Sequence, residues 1–409
     1  MPINFNVEES IGIFDSLFAK RPEISPESLK QDLKNYYLPY VEKLIKLKDQ
    51  KNSPDGILVG VSAIQGAGKT TQGEILELLL KHLGFSSISR SIDDHYVTHA
   101  QLCELRQVDP RFVRRGVTHD VPVAMDELSA LQTMEDGQPV LIAGYHKGAH
   151  YGDGDRFRWV QPEEGMEIVA RVSEEEIVAE KKLQIIPVLD MQSLKWNGQE
   201  IDLPENMGAV IPLAEHSLSE GLITYLRDQI DMDLIIKLEG GKIIFSGSQD
   251  FTVEKSELPT GWVLVTKKPD FIFYDGWMLG ARSVWDNGVF DASLPALETP
   301  EARTFAADVN KKLEEYYPLW DMFDFLSVLY LENYQMSLKW RDQAEDALRA
   351  KGQGMTSEQI REFVYYFWRS VHPAIHIKNL TVDTTHTSQV VKIGDDHSIK
   401  EVLTPDQLL

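Results

Sequence analysis

The chain has 409 residues, 43% of them hydrophobic and 26% charged, an ordinary globular composition that excludes a disordered chain. Its 64 acidic side chains against 41 basic ones leave a formal net charge of -23, which repels nucleic acid and anionic lipid unless a local basic patch overrides it, and no Lys/Arg-rich run supplies one. A single cysteine, Cys103, excludes an internal disulfide. No basic head precedes an apolar run at the N-terminus and no apolar stretch approaches the roughly 20 residues of a membrane span, so a cytoplasmic protein without a membrane partner is expected.

Residues 26–50 carry apolar positions at helical spacing, with Pro39 expected to break or kink the run. "GILVGVSA" reads as a short strand buried on both faces, "TTQGEILELLLKHLG" as a helix that stops at Gly84, and "FSSISRSIDD" as a second strand. Strand, loop, helix, strand opens an α/β fold of the P-loop NTPase type, a parallel sheet flanked by helices. From Gln161 to Lys268 that rhythm stops. Two hairpin signals, Asn197-Gly198 and Gly240-Gly241, flank one helical candidate, "HSLSEGLITYLRDQI", and the segment reads as an inserted β-rich subdomain. The α/β rhythm resumes at "KPDFIFYDGWMLG", followed by helices in "NYQMSLKWRDQAEDALRAKG" and "TSEQIREFVYYFWRSVHP" and a short strand "QVVKIG". The expected organisation is a core in two parts, 1–160 and 269–409, around an insertion at 161–268.

Three places carry chemistry. The stretch "GVSAIQGAGKTTQGEI" fits G-x-x-x-x-G-K-[ST] except that Ala63 stands at the first position. Backbone amides of Gly66, Ala67, Gly68, Lys69, Thr70 and Thr71 would cradle phosphates at a helix N-terminus. Lys69 would bridge the β- and γ-phosphates and the Thr70 hydroxyl would hold Mg2+. Ala63 is tolerable provided its φ stays negative. Next, Asp93 and Asp94 end the second strand: a kinase acting on an alcohol needs a carboxylate to accept the hydroxyl proton, which is the role read for Asp93, with Asp94 ordering Mg2+ or substrate. Last, the apolar run ending in Asp275 looks like a strand whose acid orients the magnesium shell; an ordinary Asp-Gly turn is the alternative.

Taken together, "GVSAIQGAGKTT", "SIDDHYVT", "RRGVTHDVPV", "YHKGAHYGDGDR", "YDGWMLG" and "KWRDQAEDALR" resemble D-glycerate 3-kinase of the plant and fungal type, within the P-loop kinases that include phosphoribulokinase and uridine kinase. The resemblance covers roughly 35–160 and 270–395 and leaves out the inserted segment. It implies ATP and Mg2+ as cosubstrates, a small hydroxy acid as phosphate acceptor, and Asp93 as general base. It also makes the "KWRDQAEDALR" helix a lid on which Arg341 neutralises the transferred phosphoryl group. For an acceptor carboxylate it points to Arg115, His119, Tyr145, Lys147 and Arg156, with Asp120 as an orienting group.

Departures from the family pattern stand at His95, His146, Asp275 (in place of Glu), Lys339 and Asp342, and those at His95 and His146 bear on the acceptor more than on the reaction. Three readings stay open at this point: a glycerate kinase, a kinase for another alcohol such as a nucleoside or a pantothenate-like compound, and a nucleotide-dependent switch protein. The insertion could cover the pocket or join a homo-oligomer, but Trp196 and Trp262 in a small β domain are expected to be core.

Overall fold

The computed structural model describes residues 5–179, 182–212, 220–285, 288–349 and 354–409. The chain opens with α1 (Val7–Ser10), α2 (Asp15–Lys20), α3 (Pro26–Asp32) and α4 (Leu38–Lys51). Ser25 caps α3 through the Ser28 amide, with Pro26 at the first position. Pro39 does not end the run. A π turn over Leu33–Tyr37, closed by Leu38 N donating to Leu33 O, carries α3 into α4 and places Pro39 in the first turn, where a missing amide is tolerated.

Then come β1 (Ile57–Ala63), α5 (Lys69–His82), β2 (Ser87–Ser91), a single 3-10 turn over Ile92–His95, α6 (His99–Val108), α7 (Val121–Thr133), β3 (Val140–Ile142) and the turn α8 (Ala149–Gly152). The middle of the chain holds β4 (Met166–Ala179), β5 (Lys182–Trp196), β6 (Gln199–Ile201), β7 (Ile211–Pro212), α9 (Glu220–Arg227), β8 (Asp233–Glu239), β9 (Lys242–Ser246), β10 (Asp250–Glu254) and β11 (Val263–Val265). The last part runs through β12 (Phe271–Gly276), α10 (Pro300–Lys312), α11 (Tyr317–Trp320), β13 (Phe325–Tyr330), α12 (Met336–Arg349), α13 (Ser357–Ser370), α14 (Lys378–Leu380), β14 (Gln389–Ile393) and β15 (Ile399–Leu403). The expected helix over 216–230 is thus shorter, with 216–219 outside the described residues, as are 350–352 of the expected lid helix.

The chain divides into two compact units. The first takes in the chain up to Ile92, Ala124–Glu135, and Lys267 onward. Its described residues form a six-stranded sheet in the order β15-β14-β13-β1-β12-β2, parallel except for β15. All seven residues of β1 are buried, as a central parallel strand covered on both faces requires. The register sets Val61 of β1 beside Asp275 of β12, and Asp275 beside Ser91 of β2, so the carboxyl ends of three strands align. Helix α5 packs Ile75, Leu76, Leu79 and Leu80 into the same core as Phe271 and Phe273.

The first unit also buries two imidazoles. His372 Nε2 donates to Pro295 O at 3.1 Å and His376 Nε2 to Asn310 Oδ1 at 3.1 Å, and burial lowers both pKa values to about 4 from 6.5. The unfolded chain therefore binds protons below pH 6.5 that the folded chain refuses until about pH 4, so stability declines as the pH is lowered through that window. Each ring accounts for roughly 3 kcal/mol at the acid end. Urea midpoints measured from pH 7.5 down to 5 are expected to drop, and His372→Gln with His376→Gln to flatten the slope.

The second unit comprises Asp93–Val123 and Asp136–Thr266. Its described residues form an antiparallel sheet in the order β10-β9-β8-β4-β5-β6, with β7 on β5, an extra sheet in addition to the parallel one. Both expected hairpin turns are present: Asn197 and Gly198 have φ of 49° and 82°, Gly240 and Gly241 59° and 81°, the primed-turn conformations. The core holds Trp159, Ile168, Leu189 and Phe245, with Trp196 packed against it. Trp262 is 2% exposed and donates its indole N–H to Met207 O. Both tryptophans thus serve packing.

Candidate active site

In the first unit the phosphate loop lies between β1 and α5. Ala63 is the last residue of β1, fully buried, and is not among the residues with positive φ, so the alanine costs nothing there. The turn is made instead by Gly66 and Gly68, at φ of 82° and 88°, where an L side chain would be strained; Gly68 is the N-cap of α5. Lys69 folds back over the loop, its Nζ donating to Ala63 O at 3.1 Å and Ile64 O at 3.4 Å. Ala67 N closes the turn on Ile64 O. Helix α5 therefore begins at Lys69 with its first turn and positive dipole end at the loop.

A cavity of about 120 Å³ beside α5 is lined by Lys69, Thr70, Glu74, Ser89 and Asp275, among others. Ser91 Oγ is 3.5 Å from Asp275 Oδ1, and Glu74 is held by Arg21 at 2.8 Å. Among the described residues no group of three or more His, Cys, Asp or Glu side chains could hold a metal by itself. Mg2+ in phosphoryl transfer takes one or two carboxylates and draws its other ligands from phosphates and water, a demand that Thr70 and Asp275 on one cavity wall fit. Arg341, on α12, gives Nη2 to Glu345 Oε1 at 2.6 Å and lies over the Phe363 ring at 5.5 Å.

In the second unit Asp93 and Asp94 lie in the 3-10 turn that follows β2, both half-buried. Lys147 Nζ donates to Asp93 Oδ2 at 2.7 Å. Around Tyr96 the chain gathers three of the named residues. His119 stacks on Tyr96 at 4.2 Å, and Arg115 lies 5.4 Å from the ring centres of both Tyr96 and Tyr145. Arg156 is 1% exposed and gives Nη2 to Asp120 Oδ2 at 2.9 Å, while Asp120 Oδ1 accepts from Val123 N at the start of α7. Among the described residues, Nε and Nη1 of the buried Arg156 find no hydrogen-bond partner. Buried N–H groups left without a partner are costly. Burial raises the Tyr145 phenol, which keeps its proton and donates to Asp153 O.

Sequence reasoning did not single out Tyr96 or the acids that brace the cluster. Asp155 is 2% exposed and accepts from the His99 and Arg156 amides and from His150 Nε2, all within 2.9 Å. Asp153 takes both Nη groups of Arg106, which hold its pKa down. Tyr96 and Asp155 both lie inside motifs quoted for the resemblance, "SIDDHYVT" and "YHKGAHYGDGDR", so the signal was there but carried no role. Trp340 likewise lies in a quoted motif, "KWRDQAEDALR", without a role read for it, and nothing in the sequence announced His397; both meet the loop at Gly66.

No protein-family model matches the chain. It is 25% identical over 351 residues to the chloroplastic D-glycerate 3-kinase of Arabidopsis thaliana, covering 82% of this chain and 53% of that protein. The chain is similar to D-glycerate 3-kinase. A 123-residue stretch is 34% identical to the uncharacterized kinase mug58 of Schizosaccharomyces pombe, covering 28% of this chain and 44% of that one. The chain thus spans about half the length of the curated relatives it matches. Among solved structures, the D-glycerate 3-kinase from Cryptococcus neoformans var. grubii superposes with a TM-score of 0.56 at 17% identity, covering 97% of this chain and 98% of that one. The YGR205w protein gives 0.52 at 17% identity, covering 90% and 96%. Both show a shared fold. Since the Cryptococcus match covers 97% of this chain, it takes in most of 161–268, and the resemblance is wider than the motifs alone suggested. No helix among the described residues is long and apolar enough to cross a membrane.

Proposed function

We propose that this chain is an ATP-dependent kinase that transfers the γ-phosphate to a hydroxyl of a small hydroxy acid, D-glycerate first among them. The observation that carries the reading is the loop that joins β1 to α5, with Gly66 and Gly68 at positive φ and Lys69 folded over the loop carbonyls. Similarity to the Arabidopsis D-glycerate 3-kinase supports the choice of acceptor, and the guanidinium N–H groups of Arg156, without a hydrogen-bond partner among the described residues, suit its carboxylate.

In this reading the loop amides and Lys69 bind the phosphates of ATP, and Asp93 accepts the acceptor hydroxyl's proton. Arg115 and Arg156 hold the carboxylate, aided by His119, Tyr145 and Lys147, and Arg341 offsets charge on the transferred group. Thr70, Asp275 and Asp94 are the residues that would hold Mg2+, which when bound would supply charge neutralisation for the phosphates. The reading carries with it a cytoplasmic location, a core interrupted at 161–268, and neither a nucleic-acid nor a membrane partner. Purified protein incubated with ATP, Mg2+ and a panel of acceptors led by D-glycerate is expected to yield phosphoglycerate by mass spectrometry. A product from another alcohol alone would reassign the acceptor. Bound ATP with no phosphorylated product would point to a switch.

A further inference from the structure

The carbonyl groups of the phosphate loop are held from outside the loop as well as by Lys69. Gly66 O accepts from His397 Nε2 at 2.8 Å; a carbonyl only accepts, so Nε2 carries the ring proton. His397 stands at φ 64° in the turn between β14 and β15, a conformation uncommon outside glycine. Its ring stacks on the indole of Trp340, 4.1 Å between centroids at 25°. Trp340, on α12 and 6% exposed, donates Nε1–H to Asp395 O of that same turn at 3.3 Å. It also lies directly on the loop, since a Cβ at Gly66 would sit 2.8 Å from Trp340 Cβ.

Three elements distant in sequence therefore converge on one peptide plane. The Gly66 carbonyl and the Ala67 amide share that plane, and both ends are fixed: the carbonyl by His397, the amide by Ile64 O. Because a peptide is rigid, pinning its carbonyl fixes the Ala67 amide with it, and so fixes the start of the turn that presents the following amides, whose orientation is what a phosphate loop uses to bind anions. We propose that His397 and Trp340 are positioning residues for the phosphate loop, fixing the Gly66–Ala67 peptide and thereby tying nucleotide affinity to the placement of α12 and of the β14–β15 turn. Neither side chain needs to touch ATP for this. The binding energy lost without them is the cost of ordering the loop when nucleotide arrives.

The inference rests on the kinase reading. It is tested in the full chain by calorimetric titration with ADP, and by kcat and KM for ATP at saturating D-glycerate, in His397→Ala, His397→Gln and Trp340→Phe. One neutral hydrogen bond corresponds to about tenfold in affinity. His397→Ala is expected to weaken ADP binding and raise KM for ATP about tenfold, with kcat and acceptor KM within about twofold of the unmutated chain. His397→Gln, whose amide N–H reaches where Nε2–H does, should recover most of the loss, and Trp340→Phe should fall between. The exposed position of His397 makes a folding failure unexpected, and thermal midpoints check it. Unchanged or tighter nucleotide binding in His397→Ala, or equal losses in the Ala and Gln variants, would overturn the proposal. An unmutated chain that binds neither ADP nor ATP would overturn the kinase reading with it, whereas binding that ignores His397 defeats the positioning role alone.

Discussion

An Asp93→Asn variant is expected to bind ATP as the unmutated chain does and to phosphorylate D-glycerate about 10³-fold more slowly, the scale of a lost general base. Asparagine keeps the size of the side chain and an oxygen to receive Lys147, which now donates to Asp93 Oδ2 at 2.7 Å. What it loses is the capacity to take a proton. The local fold should therefore survive, since Asp93 is half-buried and its turn is continuous with β2. Turnover by product detection, alongside an ATP titration of the same sample, separates chemistry from binding. A variant that keeps turnover within a few-fold would remove Asp93 from the mechanism. Loss of ATP binding would instead mean that Asp93 acts in the fold.

What could be read in advance depended on how local each signal was. β1, its loop and α5 were legible because an apolar run, two glycines and an amphipathic stretch follow each other without a break, each dictating its own conformation. β12 was legible for the same reason, and the turns at Asn197-Gly198 and Gly240-Gly241 because those residues accept positive φ. β13, "FLSVLY", escaped: the aromatic run before it, broken by Asp321 and Asp324, blurs where the strand starts, although it sits next to β1 in the sheet. The β4–β5 hairpin escaped because acidic residues such as Glu174, Glu175 and Glu176 on one strand hide its alternation. In the candidate site, Arg115, His119, Tyr145 and Arg156 could be named from motifs, but their gathering around Tyr96 and Asp120 is tertiary, as is the ring pair of Trp340 and His397. Pairings across dozens of residues leave no local periodicity to read.

Arg156 is where burial makes the strongest demand. Its side chain is 1% exposed, one nitrogen pairs with Asp120, and Nε and Nη1 have no hydrogen-bond partner among the described residues. Arg156→Ala would be ambiguous: it strands Asp120, and breaking a buried pair costs about 3–5 kcal/mol of stability whatever else the arginine does. Arg156→Lys is the sharper change, because it keeps the charge beside Asp120 and removes the planar fork. A hydrogen bond to a charged group is worth about 1.5–3 kcal/mol, so the lysine variant is expected to raise KM for the hydroxy acid roughly ten- to a hundredfold while KM for ATP stays put. A lowered thermal midpoint with acceptor KM unchanged would make Arg156 a buttress for Asp120 and leave the anion to Arg115. The outcome turns on geometry rather than charge, because lysine offers the same unit charge as a point and only arginine offers the paired N–H groups that match the two oxygens of a carboxylate.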